Sequence, residues 1–153
     1  EDEATYAGFS AVVDYIEWFG SKFTSSKDKR NRIVTAMDKI KSHTKGLLNL
    51  ALYGNEKIKG LKNMDYISLY GLDEDINKRV GILSFKVKNQ DSTEIAKKYF
   101  IEGGISVSTR IKNVYARHIL EILNVEDLVR IAVYPYNTPR EILKFLSFTE
   151  KIG

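Results

Sequence analysis

The sequence predicts an α+β fold, with a small, mostly antiparallel sheet covered by helices and a long helical segment before it. Two observations predict this class. Apolar residues recur at helical spacing in the first third of the chain, and after a Lys-rich connection the period shortens to brief alternating runs. Helical patterns then separate these runs. The predicted order is therefore α-α-β-β-α-β-α-β-α, with the helices on one face of the sheet.

Two helices are predicted before the sheet. The first has apolar residues at helical spacing from Phe9 to Phe19 and stops at Gly20. The second is longer, with Ser25 or Ser26 as its cap and Gly54 as its end. Its apolar stripe consists of Ile33, Ala36, Met37, Ile40, Thr44, Leu47, Leu48 and Ala51. The charged run at 27–32 is interpreted as the solvated start of this helix rather than as a nucleic-acid patch.

Four strands are predicted, at residues 66–70, 80–87, 105–109 and 128–134. A helix capped by Ser92 is expected between the second and third strands, with Ile95, Ala96, Tyr99 and Phe100 directed inward. A further helix is expected at residues 115–123.

The last helix has the clearest start. Thr138-Pro139-Arg140-Glu141 is a capping box with proline at the first helical position. In this motif the threonine hydroxyl accepts the Glu141 amide, while the Glu141 carboxylate reaches back to the Thr138 amide.

Length and composition predict a single globular domain at 1–153, with a helical segment at 1–54 and the sheet portion at 64–153. A chain of 153 residues fits one domain, and 43% apolar with 29% charged residues argues against disorder. No apolar run approaches the ~20 residues of a membrane span. The absence of cysteine excludes disulfides, thiolate zinc sites and a thiol nucleophile in this chain. The start at Glu1, without methionine, suggests a processed product or an excised fragment.

Three stretches together resemble class V aminotransferases and cysteine desulfurases. Val129–Ile142 resembles their closing strand, Tyr-Asn-Thr turn and last helix. Arg79–Phe85 is similar to the strand that opens their small domain, and Gly104–Arg110, followed by Tyr115-Ala116, to their substrate-binding segment. Glu3-Ala4-Thr5 before a helix containing Gly8 also resembles the segment that follows their large domain.

The resemblance implies an enzyme that depends on pyridoxal phosphate (PLP). In such enzymes the large domain carries the Schiff-base lysine and most phosphate contacts, and no segment of that kind is found here. The chain is therefore expected to be a C-terminal small domain that is inactive alone and holds no cofactor itself. The resemblance further implies that the complete protein is a cytoplasmic, homodimeric transferase or lyase with an amino-acid substrate.

The resemblance also nominates site residues. It implies that Arg110 binds the substrate carboxylate, a task that suits the planar guanidinium; the alternative is a surface arginine after a strand. Thr5 is placed near the cofactor phosphate of a partner subunit, or else caps a helix. Tyr115 stands where desulfurases have their cysteine. Because a phenol cannot carry a persulfide, that chemistry is excluded, and transamination, lyase or epimerase-like reactions stay open.

Other residues carry weaker signals. Asn137 is either functional or shapes the turn before the last helix. His43 and His118 have no partner at ligand spacing and are assigned no role. Two alternative functions stay open: a stand-alone ligand-binding or regulatory α+β module, and a nucleic-acid-binding module supported only by the pI near 9.1. Nucleic acid and membrane are not expected as partners.

Overall fold

The computed structural model describes residues 2–71 and 76–153. Its elements follow the predicted order: α1 (Glu3–Ser21), α2 (Lys29–Tyr53), β1 (Ile67–Tyr70), β2 (Ile82–Val87), α3 (Ser92–Ile101), β3 (Ser108–Ile111), α4 (Arg117–Ile122), β4 (Asp127–Ala132) and α5 (Pro139–Ile152). Short 3₁₀ helices lie at Leu61–Asn63 and Ile76–Lys78. The chain forms two compact units, residues 1–43 and 44–153, with α2 contributing to both. The predicted single domain, with a helical segment at 1–54 and a sheet portion at 64–153, stays a prediction.

The first unit contains α1 and the first half of α2. Asp28 caps α2, because its carboxylate accepts the Asn31 amide at 2.7 Å. The predicted cap at Ser25 or Ser26 is therefore wrong. The Ser26 hydroxyl instead accepts the Asp28 amide at 3.2 Å, so it shapes the turn that places the capping aspartate.

The two helices of this unit approach closely at Gly20. A Cβ atom there would lie 1.9 Å from the Arg32 carbonyl oxygen, so only glycine fits. Ion pairs join the same surfaces: Lys29 to Asp14 at 3.3 Å and Arg32 to Glu17 at 3.3 Å. The charged run at 27–32 is thus a helix start, as predicted. Residues 2–15 are exposed throughout, including the large side chains of α1.

The second unit is built on one antiparallel sheet with strand order β1-β2-β4-β3. This confirms the predicted fold class. Side chains alternate between the faces of each strand, and burial in β2 follows that period of two. We call the face that carries Leu83, Phe85 and Val129 the core face, and the face that carries Ser84 and Arg130 the cleft face.

The core face packs against α3, α5 and the end of α2. Phe145 of α5 lies edge-on to Phe85, with ring centroids 6.0 Å apart, and stacks on Tyr99 of α3 at 5.5 Å. Leu48 and Leu52 of α2 belong to the same core. The expectation of helices on one face holds for these three elements. The short helix α4 differs, because its Leu120 packs against Leu128, whose side chain is on the cleft face.

Helix α2 ends at a backbone crossing. Gly54 has a φ of +72°, and a Cβ atom there would lie 2.1 Å from the Ile58 carbonyl oxygen. Glycine at this position lets the chain turn back under the helix, so the predicted stop at Gly54 is confirmed.

Further local predictions differ from the structure. The cap of α3 is Asp91 rather than Ser92, because the Asp91 carboxylate accepts the Thr93 and Glu94 amides. Strand β3 begins at Ser108 rather than at residue 105, because Ile105 and Val107 pack against the core without joining the ladder. Phe100 was expected to face inward but is 69% exposed, and Met37 of the predicted α2 stripe is 49% exposed. Each is an apolar residue beside the buried face of its helix rather than on it.

Candidate functional site

A cleft of about 610 Å³ lies on the cleft face, between the sheet and α4. Strands β2, β3 and β4 form its floor, because their even-numbered residues face away from the core. Its aliphatic lining consists of Ile82, Ala116, Ile119, Leu120, Leu123 and Leu128. Its polar lining consists of Ser84, Arg110, Asn113, Tyr115 and Arg130.

Helix α4 is held over the floor by packing and by a turn. Ala116, Leu120 and Leu128 form a small buried cluster. The Asn113 side-chain oxygen accepts the Tyr115 amide at 3.0 Å and the Ala116 amide at 2.9 Å. This Asx turn starts the helix and leaves Tyr115 at the rim of the cleft.

Arg110 lies on β3 at the cleft. Its exposed guanidinium donates to the Thr109 carbonyl at 3.2 Å. In the ladder Arg110 is paired with Leu128, so its side chain stands on the cleft face. The structure therefore places the nominated arginine in a cleft, although its binding to a substrate carboxylate stays a prediction.

Arg130 lines the same cleft, and the sequence did not single it out. It lies on the central strand β4, opposite Ser84 of β2 and Ser108 of β3. Its side chain is half-buried, yet within residues 2–71 and 76–153 its guanidinium has no hydrogen bond or ion pair. A partly desolvated guanidinium without an acceptor favours an incoming anion.

The two arginines are diagonal neighbours on one sheet face. Ser108 is opposite Arg130 and Arg110 is opposite Leu128, which sets Arg110 and Arg130 on adjacent strands two positions apart. Such neighbours lie roughly 7–8 Å apart at their Cα atoms, within reach of two long side chains converging on one group. Paired guanidinium groups match a carboxylate, since each donates two parallel hydrogen bonds.

The lining residues do not fit covalent attachment of PLP. That attachment needs a lysine amine, and no lysine is among the described residues that line the cleft. Within residues 2–71 and 76–153 no aspartate or glutamate lines it either, so none of those residues would pair with the pyridine nitrogen there. The described lining thus offers donors for an anionic group but neither a lysine for the Schiff base nor a carboxylate for the pyridine nitrogen.

Tyr115, which stands at the position of the desulfurase cysteine in the resemblance, is 92% exposed at the cleft rim. The 153 residues contain no cysteine that could take its place.

Thr5 is the third residue of α1, in the first unit. It does not cap that helix: Asp2 is the N-cap, and its carboxylate accepts the Thr5 amide at 3.3 Å. The Thr5 hydroxyl also donates to Asp2, and this bond is the main reason why the pKa of Asp2 lies below its ordinary value. The capping alternative for Thr5 is thus wrong, and its contact with a cofactor phosphate stays a prediction.

Asn137 shapes the turn before α5. Its side-chain oxygen accepts the Tyr134 amide at 2.8 Å, which fixes the chain between β4 and the helix. The rings of Tyr134 and Tyr136 stack with centroids 5.4 Å apart.

Two other kinds of site are absent from the described part of the chain. No three histidine, aspartate or glutamate residues come together in a way that would hold a metal ion. No helix there has the length and apolarity needed to cross a membrane.

The arrangement of strands and helices around this cleft has counterparts in known proteins. The model of the family described as aminotransferase class-V matches residues 33–145, which is most of the chain. The chain belongs to this family. The match includes β2, β3, α4 and β4, and therefore every element of the cleft.

A probable cysteine desulfurase of Borreliella burgdorferi is 34% identical to this family member over 117 residues, covering 76% of the chain and 26% of the relative. Two solved structures share the fold of this chain. The apo cysteine desulfurase of Thermococcus onnurineus superimposes with a TM-score of 0.64 at 20% identity, covering 81% of this chain and 28% of that one. The cysteine desulfurase CsdA of Escherichia coli gives a TM-score of 0.58 at 15% identity, covering 84% and 31%.

The chain thus spans about a quarter of the length of the curated relative. The residues compared belong to one portion of a longer protein in each case.

Proposed function

We propose that this chain is the small-domain portion of a PLP-dependent enzyme acting on an amino acid, in which Arg110 and Arg130 bind the substrate carboxylate. The observation that carries the proposal is that Arg130, half-buried and without a partner among the residues that the structure describes, lies beside Arg110 on the cleft face. Membership of the class V family supplies the cofactor class, and the remaining part of the fold would hold the cofactor.

The role of the two arginines follows from their position. The strands fix both Cα atoms, so only the side chains must order when a carboxylate arrives. When two guanidinium groups hold the carboxylate of an amino acid, the Cα atom of that amino acid is fixed relative to the sheet. Proper orientation of that atom is what a cofactor-dependent reaction at Cα requires.

Sulfur transfer through a cysteine of this portion is not part of the proposal. The relatives carry the description cysteine desulfurase, whereas this chain has no cysteine and presents Tyr115 at the cleft rim. A transaminase, lyase or epimerase-like reaction is compatible with the lining. A homodimeric, cytoplasmic complete enzyme stays a prediction.

Carboxylate binding is tested by NMR titration of the purified chain with sodium acetate, with sodium chloride as the ionic control. We expect acetate to shift the signals of β3 and β4 around the cleft. Arg110→Gln and Arg130→Gln should each weaken that response at least tenfold, because each removes charge-assisted hydrogen bonds. Arg117→Gln, an exposed arginine of α4 outside the cleft lining, is the matched control.

Two outcomes would contradict the proposal. One is an acetate response that survives both cleft substitutions or is shared by chloride. The other is a stoichiometric imine on one lysine of this chain after addition of PLP, which would show that the cofactor site lies in the portion described here.

A further inference from the structure

The cleft has a positively charged part and an aliphatic part, and this arrangement limits the chemical class of its ligand. Its guanidinium groups come from neighbouring strands β3 and β4. The rest of its lining is largely aliphatic and comes from α4 and the adjoining strand residues. Ile119 is 60% exposed, so its side chain is available to a ligand.

Apart from the hydroxyls of Ser84 and Tyr115, the cleft gives little support to a polar ligand side chain. No carboxylate of the described residues lines it, so an ammonium group on the side chain of a ligand would meet only arginines. The one amide in the lining, Asn113, has its oxygen engaged by the amides of Tyr115 and Ala116.

We infer that the amino acid bound here carries an apolar side chain, with its carboxylate on Arg110 and Arg130 and its hydrocarbon against Ile119 and Leu123. The inference rests on the proposed function and specifies the substrate class of the same site. Removal of a hydrocarbon chain from water is the only sizeable gain that this aliphatic lining offers. A cleft of about 610 Å³ also leaves ample room beyond a bound carboxylate.

The test is an NMR titration of the chain with acetate, butanoate and hexanoate, which share the carboxylate and differ in hydrocarbon length. We expect affinity to rise about two- to fourfold for each methylene group added, since each one buried on a fully apolar surface contributes about fourfold. Glutarate, with a second carboxylate in place of the hydrocarbon end, should bind no better than butanoate. Hexylamine should bind more weakly than hexanoate.

The variant Ile119→Asn removes part of the aliphatic lining from an exposed position. It should lower hexanoate affinity at least threefold and acetate affinity by less than about twofold. Ile122→Asn is the matched control: it is on the same helix, is 70% exposed and lies outside the cleft lining, so it should change neither ligand.

The outcomes separate this inference from the function on which it rests. Equal affinity for the three monocarboxylates, with loss in the arginine variants, overturns the apolar specificity and leaves carboxylate binding intact. Tighter binding of glutarate than of hexanoate does the same, because each arginine would then hold its own carboxylate. Hexylamine binding as tightly as hexanoate, or no arginine-dependent binding of any carboxylate, overturns both.

Discussion

The Tyr99 hydroxyl lies 2.6 Å from the Thr149 hydroxyl, between α3 and α5 in the core of the second unit. Neither residue is exposed to solvent. Thr149 in turn donates to the Phe145 carbonyl at 2.8 Å, so the tyrosine hydroxyl donates into a short chain of hydrogen bonds. Burial raises the pKa of Tyr99 far above its ordinary value, which keeps the phenol protonated as a donor.

This pair predicts an order of stabilities. Tyr99→Phe should lower the free energy of unfolding by about 1 kcal/mol, because Thr149 keeps its bond to Phe145. Thr149→Val should cost more, about 1–3 kcal/mol, because it leaves the buried Tyr99 hydroxyl without an acceptor. Urea denaturation of both variants and of the double variant measures this. A double variant as unstable as the two single losses added together would show that the hydroxyls do not interact.

The start of α5 gives a second stability prediction. The Thr138 hydroxyl accepts the Glu141 amide at 3.3 Å, and the Glu141 carboxylate accepts the Thr138 amide at 2.7 Å. Thr138→Ala should therefore cost about 1 kcal/mol in urea denaturation. Thr93→Ala, an exposed threonine in the first turn of α3 that is not its cap, is the control and should change stability by less than about 0.5 kcal/mol. Equal midpoints for the two variants would disprove the role of the cap.

Asp127 links three elements of the sheet unit and gives a pH prediction. Burial alone would raise the pKa of Asp127, but the ion pair with Lys86 and the bond from the Ser92 amide at 3.0 Å outweigh it, so the pKa lies below its ordinary value. The stabilisation by ionised Asp127 is therefore present above the pKa of this group in the unfolded chain, about 3.9. It is lost as pH falls through the lower pKa of the folded state. Asp127→Asn should cost about 1–2 kcal/mol at neutral pH and less at low pH.

The neighbouring acid provides the control for that experiment. Glu126 pairs with Lys112 but is 79% exposed, so Glu126→Gln should cost less than about 1 kcal/mol. Chemical denaturation across acidic and neutral pH compares the two. A loss for Asp127→Asn that is the same at every pH would refute the electrostatic explanation.

Arg110 gives a catalytic prediction for the complete enzyme proposed above. Arg110→Lys keeps the charge but loses the bidentate fork, so kcat/KM for amino acids should fall by about one to two orders of magnitude. The visible spectrum of bound PLP should not change, because no lysine of the described cleft lining holds the cofactor. Arg117→Lys, outside the lining, should keep wild-type kinetics. Loss of cofactor loading together with activity would indicate a structural arginine instead.

The exposed part of α1 predicts fast amide exchange. Residues 3–15 are all exposed, and an isolated helix of that length is marginal in water. Hydrogen exchange of the purified chain should therefore be much faster there than in α5. Gly8→Ala should slow it, because alanine favours helix by about 1 kcal/mol and a Cβ atom at Gly8 meets nothing within 4 Å. Protection of residues 3–15 equal to that of α5 in dilute solution would contradict this.

The sequence predicted those features that short-range chemistry determines. The Thr138 capping box and the stop at Gly54 depend on neighbours a few residues away, and both are in place. The predicted start of β3 is too early because Ile105 and Val107 alternate with polar residues as in a strand. Both pack against the core without pairing, and apolar periodicity does not distinguish a buried residue from a paired one.

The candidate site was predicted only in part for a related reason. A family resemblance indicates Arg110 as a site residue, whereas nothing in the sequence distinguishes Arg130 from other residues of a strand. Its significance arises from strand order: β4 is central, so Arg130 lies between Ser84 and Ser108 and beside Arg110. No local pattern encodes that β3 and β2 flank the same strand.

The central place of β4 also has a kinetic consequence. Its two ladders join it to β2 and β3, and the β2 pairing closes a loop that includes α3, β3 and α4. Such distant pairings form slowly, since the chain loses much entropy before they stabilise it. The cleft, with lining from β2, β3, α4 and β4, can therefore be complete only when this loop has closed. A carboxylate ligand should accordingly slow unfolding of the chain and leave its refolding rate unchanged.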